Sequence, residues 1–392
     1  MKILLIIPYF YPAEAFGGPV KVVFDVGKEL VKRGHDVVVF TSDARDLENR
    51  LGVESDEVEG MSVYYFRNLS MFFVKWSKLF ITPDLYRKMK LDIESFDIIH
   101  AHEYRTYQNI VVHKFAKKYG VPYVLQAHGS LPKVGRQARK WLYDVLFGLN
   151  LLRDASKAIA LNRFEAEQYR RMGLPEDKVA IIPNGIDLAE YANLPAKGCF
   201  KKKFGIPEEK KIILYLGRIH KTKGVDFLIK AYAHLTKRLG VKDSVLIIAG
   251  PDDGYLDETK ALAESLGVSS SVVFTGFISK EDKLKALVDA EVFVTPSFYG
   301  FPMTFLEACA IGTPIVTTNL GDTLEWIDGK AGHVTRPTPY DIAKAIHNII
   351  SDEELRKSFS KNCVEIVKSS FSIEGVASKL EEVYKEVLEG RN

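Results

Sequence analysis

Short apolar runs rich in branched residues recur along the chain in two series. KILLII, DVVVFT, DIIHAH, YVLQAHG, KAIALN and KVAIIPNG fall before residue 190, and KIILYLG, SVLIIAG, SVVFTG, VFVTPS and TPIVTT fall after residue 210. Runs that are apolar on both faces and stop at Gly, Pro, Asn or His have the pattern of strands in parallel sheets covered on both sides. Segments of helical period lie between them. In PVKVVFDVGKELVKRG, Val20, Val23, Phe24, Gly27, Leu30 and Val31 share one face, and Gly34 supplies a stop. Strand and helix alternating through two series predict an α/β protein of two doubly wound domains. The polar stretch LAEYANLPAKGCFKKKFGIPEEK breaks both periods and marks the boundary between them. A last segment, SIEGVASKLEEVYKEVL, spaces Ile373, Val376, Leu380, Val383, Tyr384 and Leu388 at helical intervals and so needs an apolar surface to cover.

A length of 392 residues agrees with two hydrophobic cores. Composition narrows the class only to an ordinary soluble globular protein, at 46% apolar and 27% charged residues. A formal charge of +3 argues against a polybasic nucleic-acid binder, so no nucleic acid is expected as a partner, while local patches stay open. Cys199, Cys309 and Cys363 are too scattered for a disulfide framework or a metal knuckle and read as apolar filler in a reducing compartment. The opening MKILLIIPYFYP has an apolar run stopped by Pro8, which fits a first buried strand better than a signal peptide. No stretch approaches the roughly 18 apolar residues of a membrane span. The expected location is cytoplasmic, either free or resting peripherally on the inner membrane face.

In open α/β sheets ligands sit beyond the carboxyl ends of the strands, so the residues after each run are the candidates for chemistry. After the first run, Gly17 and Gly18 stand directly before a helix, where backbone can approach a ligand and free N–H groups face an anion. After YVLQA comes His128, able to bond a sugar hydroxyl or a phosphate oxygen. His100 and His102 share one strand face but lack a third ligand at sensible spacing, so no metal is expected there. Arg218 and Lys223 follow the first run of the second series, with Gly224 beside the next helix. Two cations about 4 Å from a diphosphate are each worth around 4 kcal/mol at an effective dielectric near 20, before desolvation.

The stretch SFYGFPMTFLEACAIGTPIV offers a second anion site. Pro302 suits a first helical turn, so the Gly300-Phe301-Pro302 turn should aim the amides of Met303 and Thr304 at the same diphosphate. Glu307, one turn further in, would accept hydrogen bonds from a vicinal diol such as a ribose.

The ordered set GRIHKTKGVDFLIKAY, VLIIAGPDDG, VVFTGFISKEDKLKALVDAEVFVTPS, GFPMTFLEACAIGTPIVTT and HVTRP resembles the retaining glycosyltransferases of family 4. GGPVKVVFDVGKELVKRGHDVVVFT, DIIHAH, QAHGS, IALNRFEAEQYRRMG and IIPNGID extend the resemblance over nearly the whole chain. It implies the GT-B fold: two Rossmann-like parallel-sheet domains facing a cleft, with a carboxyl-terminal helix crossing back to the first. Residues 1–192 with 373–392 would form the acceptor-side domain and 193–372 the nucleotide-sugar domain. By this likeness Arg218 and Lys223 neutralise the donor diphosphate, Glu307 binds the ribose, and His128 lies beside the transferred sugar. Gly17 and Gly18 match the glycine loop near the phosphates, and Phe277 sits where the backbone meets the base. One departure stands out: seven residues separate a pair of acids in the family, and the first position here is Tyr299, whose phenol carries no charge toward an oxocarbenium-like transition state.

The implied donor is a UDP-, GDP- or ADP-sugar, with no other cofactor. Same-face substitution, in which the leaving phosphate takes the acceptor's proton, requires no protein nucleophile and, with two cations present, no metal. The acceptor is less legible. From Lys114 to Lys178 there are 13 Lys or Arg against 6 Asp or Glu. Within that region RQARKWLYDVLFGLNLL, and earlier MFFVKWSKLF, read either as core helix with a solvated basic end or as a surface for anionic headgroups serving a lipid-linked acceptor. A growing glycan or a soluble sugar is the other acceptor class. Two rival readings are a hexosamine epimerase of the same fold, which would want more acids and histidines around the sugar, and a nucleotide-sugar-binding protein without turnover, favoured by Tyr299.

Overall fold

The computed structural model describes residues 1–132, 137–297, 301–318 and 324–390. The chain forms two compact units, one of residues 1–186 with 373–392 and the other of residues 187–372.

The first unit is built on an eight-stranded sheet. Its strands are β1 (Lys2–Ile6), β2 (Asp36–Ser42), β3 (Ser55–Val58), β4 (Met61–Phe66), β5 (Ile98–His102), β6 (Tyr123–Gln126), β7 (Lys157–Ala160) and β8 (Val179–Ile181). Their order is β3-β4-β2-β1-β5-β6-β7-β8, parallel except for the β3–β4 hairpin. Alternation along β1 shows why such strands are apolar throughout. Leu4 and Ile6 enter one core layer with Leu85, Met89 and Phe115, while Ile3 and Leu5 enter the opposite layer with Val23, Val26 and Leu30. The latter three lie on the helix Gly18–Lys32. The last helix, Ile373–Glu389, covers this same layer with Ile373, Val376, Leu380, Val383, Tyr384 and Val387. Val387 is buried where the spacing pointed to Leu388, which is half-buried.

The second unit has β9 (Lys211–Leu216), β10 (Ser244–Ala249), β11 (Val272–Gly276), β12 (Ala290–Thr295), β13 (Ile315–Thr318) and β14 (Gly332–Thr335). All are parallel, in the order β11-β10-β9-β12-β13-β14. Both sheets therefore reverse direction beside their first strand, between β1 and β5 in one unit and between β9 and β12 in the other. Such a switch point opens a crevice at the carboxyl edge where the flanking loops part to opposite sides. Three strands escaped the apolar-run reading. β3 is largely exposed, β4 alternates buried and less buried positions, and β14 is short and mostly half-buried.

Glycines close the carboxyl edge of the second sheet tightly. The Gly250 amide donates to the Gly276 carbonyl at 2.9 Å, and the Gly217 amide donates to the Ala249 carbonyl at 3.0 Å. A Cβ built on Gly250, where φ is +150°, would lie 1.9 Å from the Gly217 carbonyl oxygen. Gly250→Ala is therefore expected to destabilise this unit by about 3 kcal/mol or more. Scanning calorimetry should show its transition lowered by roughly 6–12 °C. A transition unchanged from wild type would contradict the close approach.

Candidate functional site

In the second unit, Arg218 leaves the end of β9 and its guanidinium pairs with Asp253, from the loop after β10. Both side chains are more than a third exposed, so the pair adds little stability and can be exchanged for another anion. The Arg218 carbonyl accepts from the Tyr215 hydroxyl at 3.0 Å, which fixes the turn. Lys223 closes a short 3-10 turn before the helix Val225–Lys237. Its ammonium is half-buried, and no acid among the described residues pairs with it. Burial first, then the neighbouring Arg218 charge, hold its pKa below the ordinary lysine value. Gly224, at φ +68°, brings this turn against Pro296: a Cβ there would meet that ring carbon at 3.1 Å. The cation turn thus abuts the segment that runs from β12 toward the helix Met303–Ile311.

That helix starts one residue later than the proline pattern indicates, with Pro302 as its N-cap and no side chain capping the start. The first-turn amides of Met303 and Thr304 consequently have no intrahelical partner. The Phe301 ring stacks on Trp326 at 6.1 Å and packs on Phe371 at 5.5 Å, so this side chain braces the approach to the helix. Phe277 projects beyond β11 and is 80% exposed. Tyr299 and Gly300 lie outside the described residues.

Glu307 is only 3% exposed, which a solvated helical glutamate would not be. Lys283, on the helix Lys280–Asp289, donates to its Oε1 at 2.7 Å, and Oε2 is buried without a hydrogen-bond partner among the described residues. A buried acceptor left unmatched is costly, so the arrangement favours an arriving hydroxyl. Both residues line a cavity of about 370 Å³ with Glu190, Tyr191, Lys280 and Leu284. Lys283 and Asp253 were not legible in the sequence, because each is defined only by a partner that folding brings near.

In the first unit the loop after β1 carries Gly17, at φ +92°, as the residue that opens the helix at Gly18. Across the switch point, two non-glycine residues at neighbouring strand exits adopt left-handed backbone: Glu103 at φ +64° after β5 and His128 at φ +51° after β6. Such strain is held only where surrounding contacts over-determine it. Tyr9, beyond β1, donates its hydroxyl to Glu103 Oε1 at 2.8 Å. Burial pushes the Glu103 carboxyl up to about 7, with Glu165 adding to the shift and hydrogen bonds from Tyr9 and Ser130 opposing it. His128 Nε2 and His102 Nδ1 share a hydrogen bond of 2.9 Å, and His100 Nδ1 meets the Tyr384 hydroxyl at 2.7 Å. The His100 and His102 rings lie 4.0 Å apart between centres, tilted by 33°. Burial holds all three imidazoles neutral, with His100 and His128 each pushed down to about 3 and His102 well below its ordinary value. Glu165 accepts from the Gly129 and Leu161 amides, each at 2.7 Å. Tyr9, Glu103 and Glu165 are additions to the sequence reading; the only signal was a carboxylate next after the run DIIHAH.

The segment from Gln137 to Asp154 runs as consecutive helical pieces. Leu151 and Leu152 are buried, but Trp141, Leu142, Val145, Leu146, Phe147 and Leu149 face outward in this unit. A core helix with a solvated end is thereby excluded. Leu69, Phe72, Phe73 and Trp76, around the helix Met71–Ser77, are also exposed. Both segments anchor beside the β5 exit: Gln108 holds the Phe80 carbonyl at 2.9 Å, and the Tyr143 hydroxyl donates to the Thr106 carbonyl at 3.0 Å.

Two family models match the chain: Glycosyltransferase Family 4 over residues 16–190 and Glycosyl transferases group 1 over residues 197–365. An uncharacterized glycosyltransferase of Methanocaldococcus jannaschii is 30% identical, with 99% of each chain covered. An Escherichia coli UDP-Gal:alpha-D-GlcNAc-diphosphoundecaprenol alpha-1,3-galactosyltransferase is 25% identical, with 81% of each covered. The crystal structure of Anabaena HepE in complex with UDP superposes with a TM-score of 0.79 at 19% identity, covering 98% of this chain and all of that one. The fold is accordingly GT-B.

The neutral imidazoles make the first unit acid-sensitive. A histidine whose folded pKa is depressed takes up its proton on unfolding, so its stability is present above the unfolded value near 6.5 and is lost as pH falls toward 3. For the fully buried His100 and His102 this amounts to about 2 kcal/mol each between pH 8 and pH 5. Denaturant unfolding should show that loss for wild type and a smaller one for His100→Asn. Parallel pH profiles for the two proteins would refute the assignment.

Proposed function

Since this chain belongs to the glycosyltransferases of group 1 and family 4, we propose that it is a retaining, metal-independent hexosyltransferase. It moves a sugar from a nucleoside-diphosphate sugar to a hydroxyl acceptor. The observation that carries this reading is the buried Glu307 carboxylate, tied by Lys283 on one oxygen and open on the other, beside a cavity of about 370 Å³. A ribose diol supplies the two hydroxyl donors that such a group can take. Phe277 backbone would meet the base. Arg218, Lys223 and the amides of Met303 and Thr304, after the Gly300-Phe301-Pro302 turn, would carry the diphosphate.

In this mechanism the residues act on charge. As the glycosidic bond breaks, negative charge grows on the leaving diphosphate, and Arg218 exchanges the exposed Asp253 carboxylate for it. Lys223, already free of a carboxylate among the described residues, gains its first anionic partner. The departing phosphate oxygen takes the proton of the attacking hydroxyl on the same face of the sugar, which retains configuration. Residues 187–372 would hold the donor and the first unit the acceptor, with Gly17, Gly18 and His128 beside the phosphates and transferred sugar. UDP is the nucleotide we favour among UDP, GDP and ADP, supported by the UDP complex of HepE.

The acceptor we propose is lipid-linked, and the protein peripheral on an anionic membrane face. No helix among the described residues is long and apolar enough to span a membrane. Support comes from the outward aromatic and aliphatic side chains near Trp76 and Trp141, with Lys75, Lys78 and Arg139 exposed among them. Binding without turnover is the second reading, favoured by Tyr299 in place of an acid.

A panel of UDP-, GDP- and ADP-sugars, with and without lipid acceptors, tests the proposal by product analysis. Transfer with retention in the presence of EDTA is expected. Binding with neither transfer nor hydrolysis across the panel would leave the non-enzyme reading, and Tyr299→Glu would then show whether the acid restores turnover. Arg218→Ala and Lys223→Ala should each lower kcat by about 10²-fold or more, and Glu307→Gln should weaken UDP binding about tenfold. Sedimentation with phosphatidylglycerol vesicles should capture the wild type, and Trp76→Ser with Trp141→Ser should release it. Equal capture of both would remove the membrane assignment.

A further inference from the structure

Beside His128, the exits of β1 and β5 hold side chains that the donor chemistry does not use. Tyr9, Glu103 and His128 stand on three adjacent strands, at the switch point of the first sheet, with two of the three in left-handed backbone. Their electrostatic character is the informative feature. Glu103 is half-buried and its partners are hydroxyls, with no Lys or Arg among the described residues pairing with it. The nearest cation in sequence, Arg105, is fully used. Its guanidinium bonds both Asp144 oxygens at 2.8 Å, the Ser130 carbonyl at 2.8 Å and the Leu131 carbonyl at 3.0 Å. His128 adds a neutral ring whose Nδ1 is buried without a partner. Glu165 brings a second carboxylate, satisfied by two backbone amides.

Among the described residues, a phosphate or carboxylate entering this group would meet carboxylates and neutral imidazoles and no free cation beside them. A sugar hydroxyl meets the opposite situation, since it can donate to a Glu103 carboxylate oxygen, which can accept more than the Tyr9 and Ser130 hydroxyls supply, and accept from or donate to an imidazole nitrogen. We propose that Glu103, clamped by Tyr9, binds a hydroxyl of the acceptor, and that the reacting end of the acceptor is an uncharged sugar and not a phosphate. The inference rests on reading the first unit as the acceptor half. It remains compatible with a lipid-linked acceptor, provided the sugar and not the lipid phosphate enters the site. The raised Glu103 carboxyl, near 7, agrees with an acid held without a cation.

The test uses the full chain, with UDP affinity measured separately by calorimetry so that failure of the donor reading shows by itself. Methyl α-D-glucopyranoside, galactopyranoside and mannopyranoside are compared with glucose 6-phosphate by saturation-transfer NMR, with and without UDP. At least one neutral glycoside should bind, and glucose 6-phosphate should bind about tenfold more weakly or not at all. Glu103→Gln should weaken the glycoside about tenfold or more, the scale of a charged hydrogen bond, and Tyr9→Phe should weaken it less. UDP affinity and Tm should hold in both variants. Tighter binding of the phosphate, no binding of any glycoside, or a Glu103→Gln protein that binds the glycoside as wild type does would each overturn the proposal. Should Glu103→Gln lose Tm, Tyr9→Phe and the neutral-against-phosphate comparison decide.

Discussion

Strands buried on both faces carry polar groups along their length only where these are kept neutral and partnered, as His100 of β5 is by Tyr384, and that constraint organises much else in this protein. Leu4 and Leu5 of β1 enter opposite core layers, and so do their counterparts in neighbouring strands. Polar groups are driven to the strand exits, where backbone leaves the ladder and side chains reach solvent. Arg218 after β9, His128 after β6 and Glu103 after β5 all occupy such positions. The switch points add the second ingredient, a place where loops diverge and a ligand can enter between them.

The two carboxyl edges have opposite electrostatic character. In the second unit the exposed Arg218–Asp253 pair is weakly held, and the half-buried Lys223 ammonium has no carboxylate partner among the described residues. In the first unit Arg105 is held by Asp144 and Arg50 by Asp43, and the described side chains around Glu103 and His128 are acids, phenols and imidazoles. On the reading proposed above, the second edge suits a charged group and the first suits hydroxyls.

Much of this architecture could be read from residue order. Parallel strands covered on both sides announce themselves as apolar runs, whereas β4, half-covered, alternates Met61, Val63 and Tyr65 with less buried residues and gives a weaker signal. The polar edge strand β3 gives almost none. At the site, the position of Glu307 one turn into a helix was legible, but its partner Lys283 lies 24 residues away and depends on how two helices pack. Glu103 was visible as an acid after a strand; Tyr9, 94 residues distant, was not visible as its clamp. The helix through Trp141 shows a further limit. Covered and outward-facing helices can share one composition, and only the direction in which Leu142 and Leu146 point distinguishes them.

Tyr384 gives the last helix a significance beyond covering a core. Its hydroxyl meets His100, so the imidazole row behind His128 is completed by a residue 284 positions downstream. On the ribosome, residues 187–372 are made before the helix that covers one face of the first sheet. The half encoded first is thus the half completed later, and its apolar layer around Val23 and Leu30 waits for a cover until residues 373–389 are available.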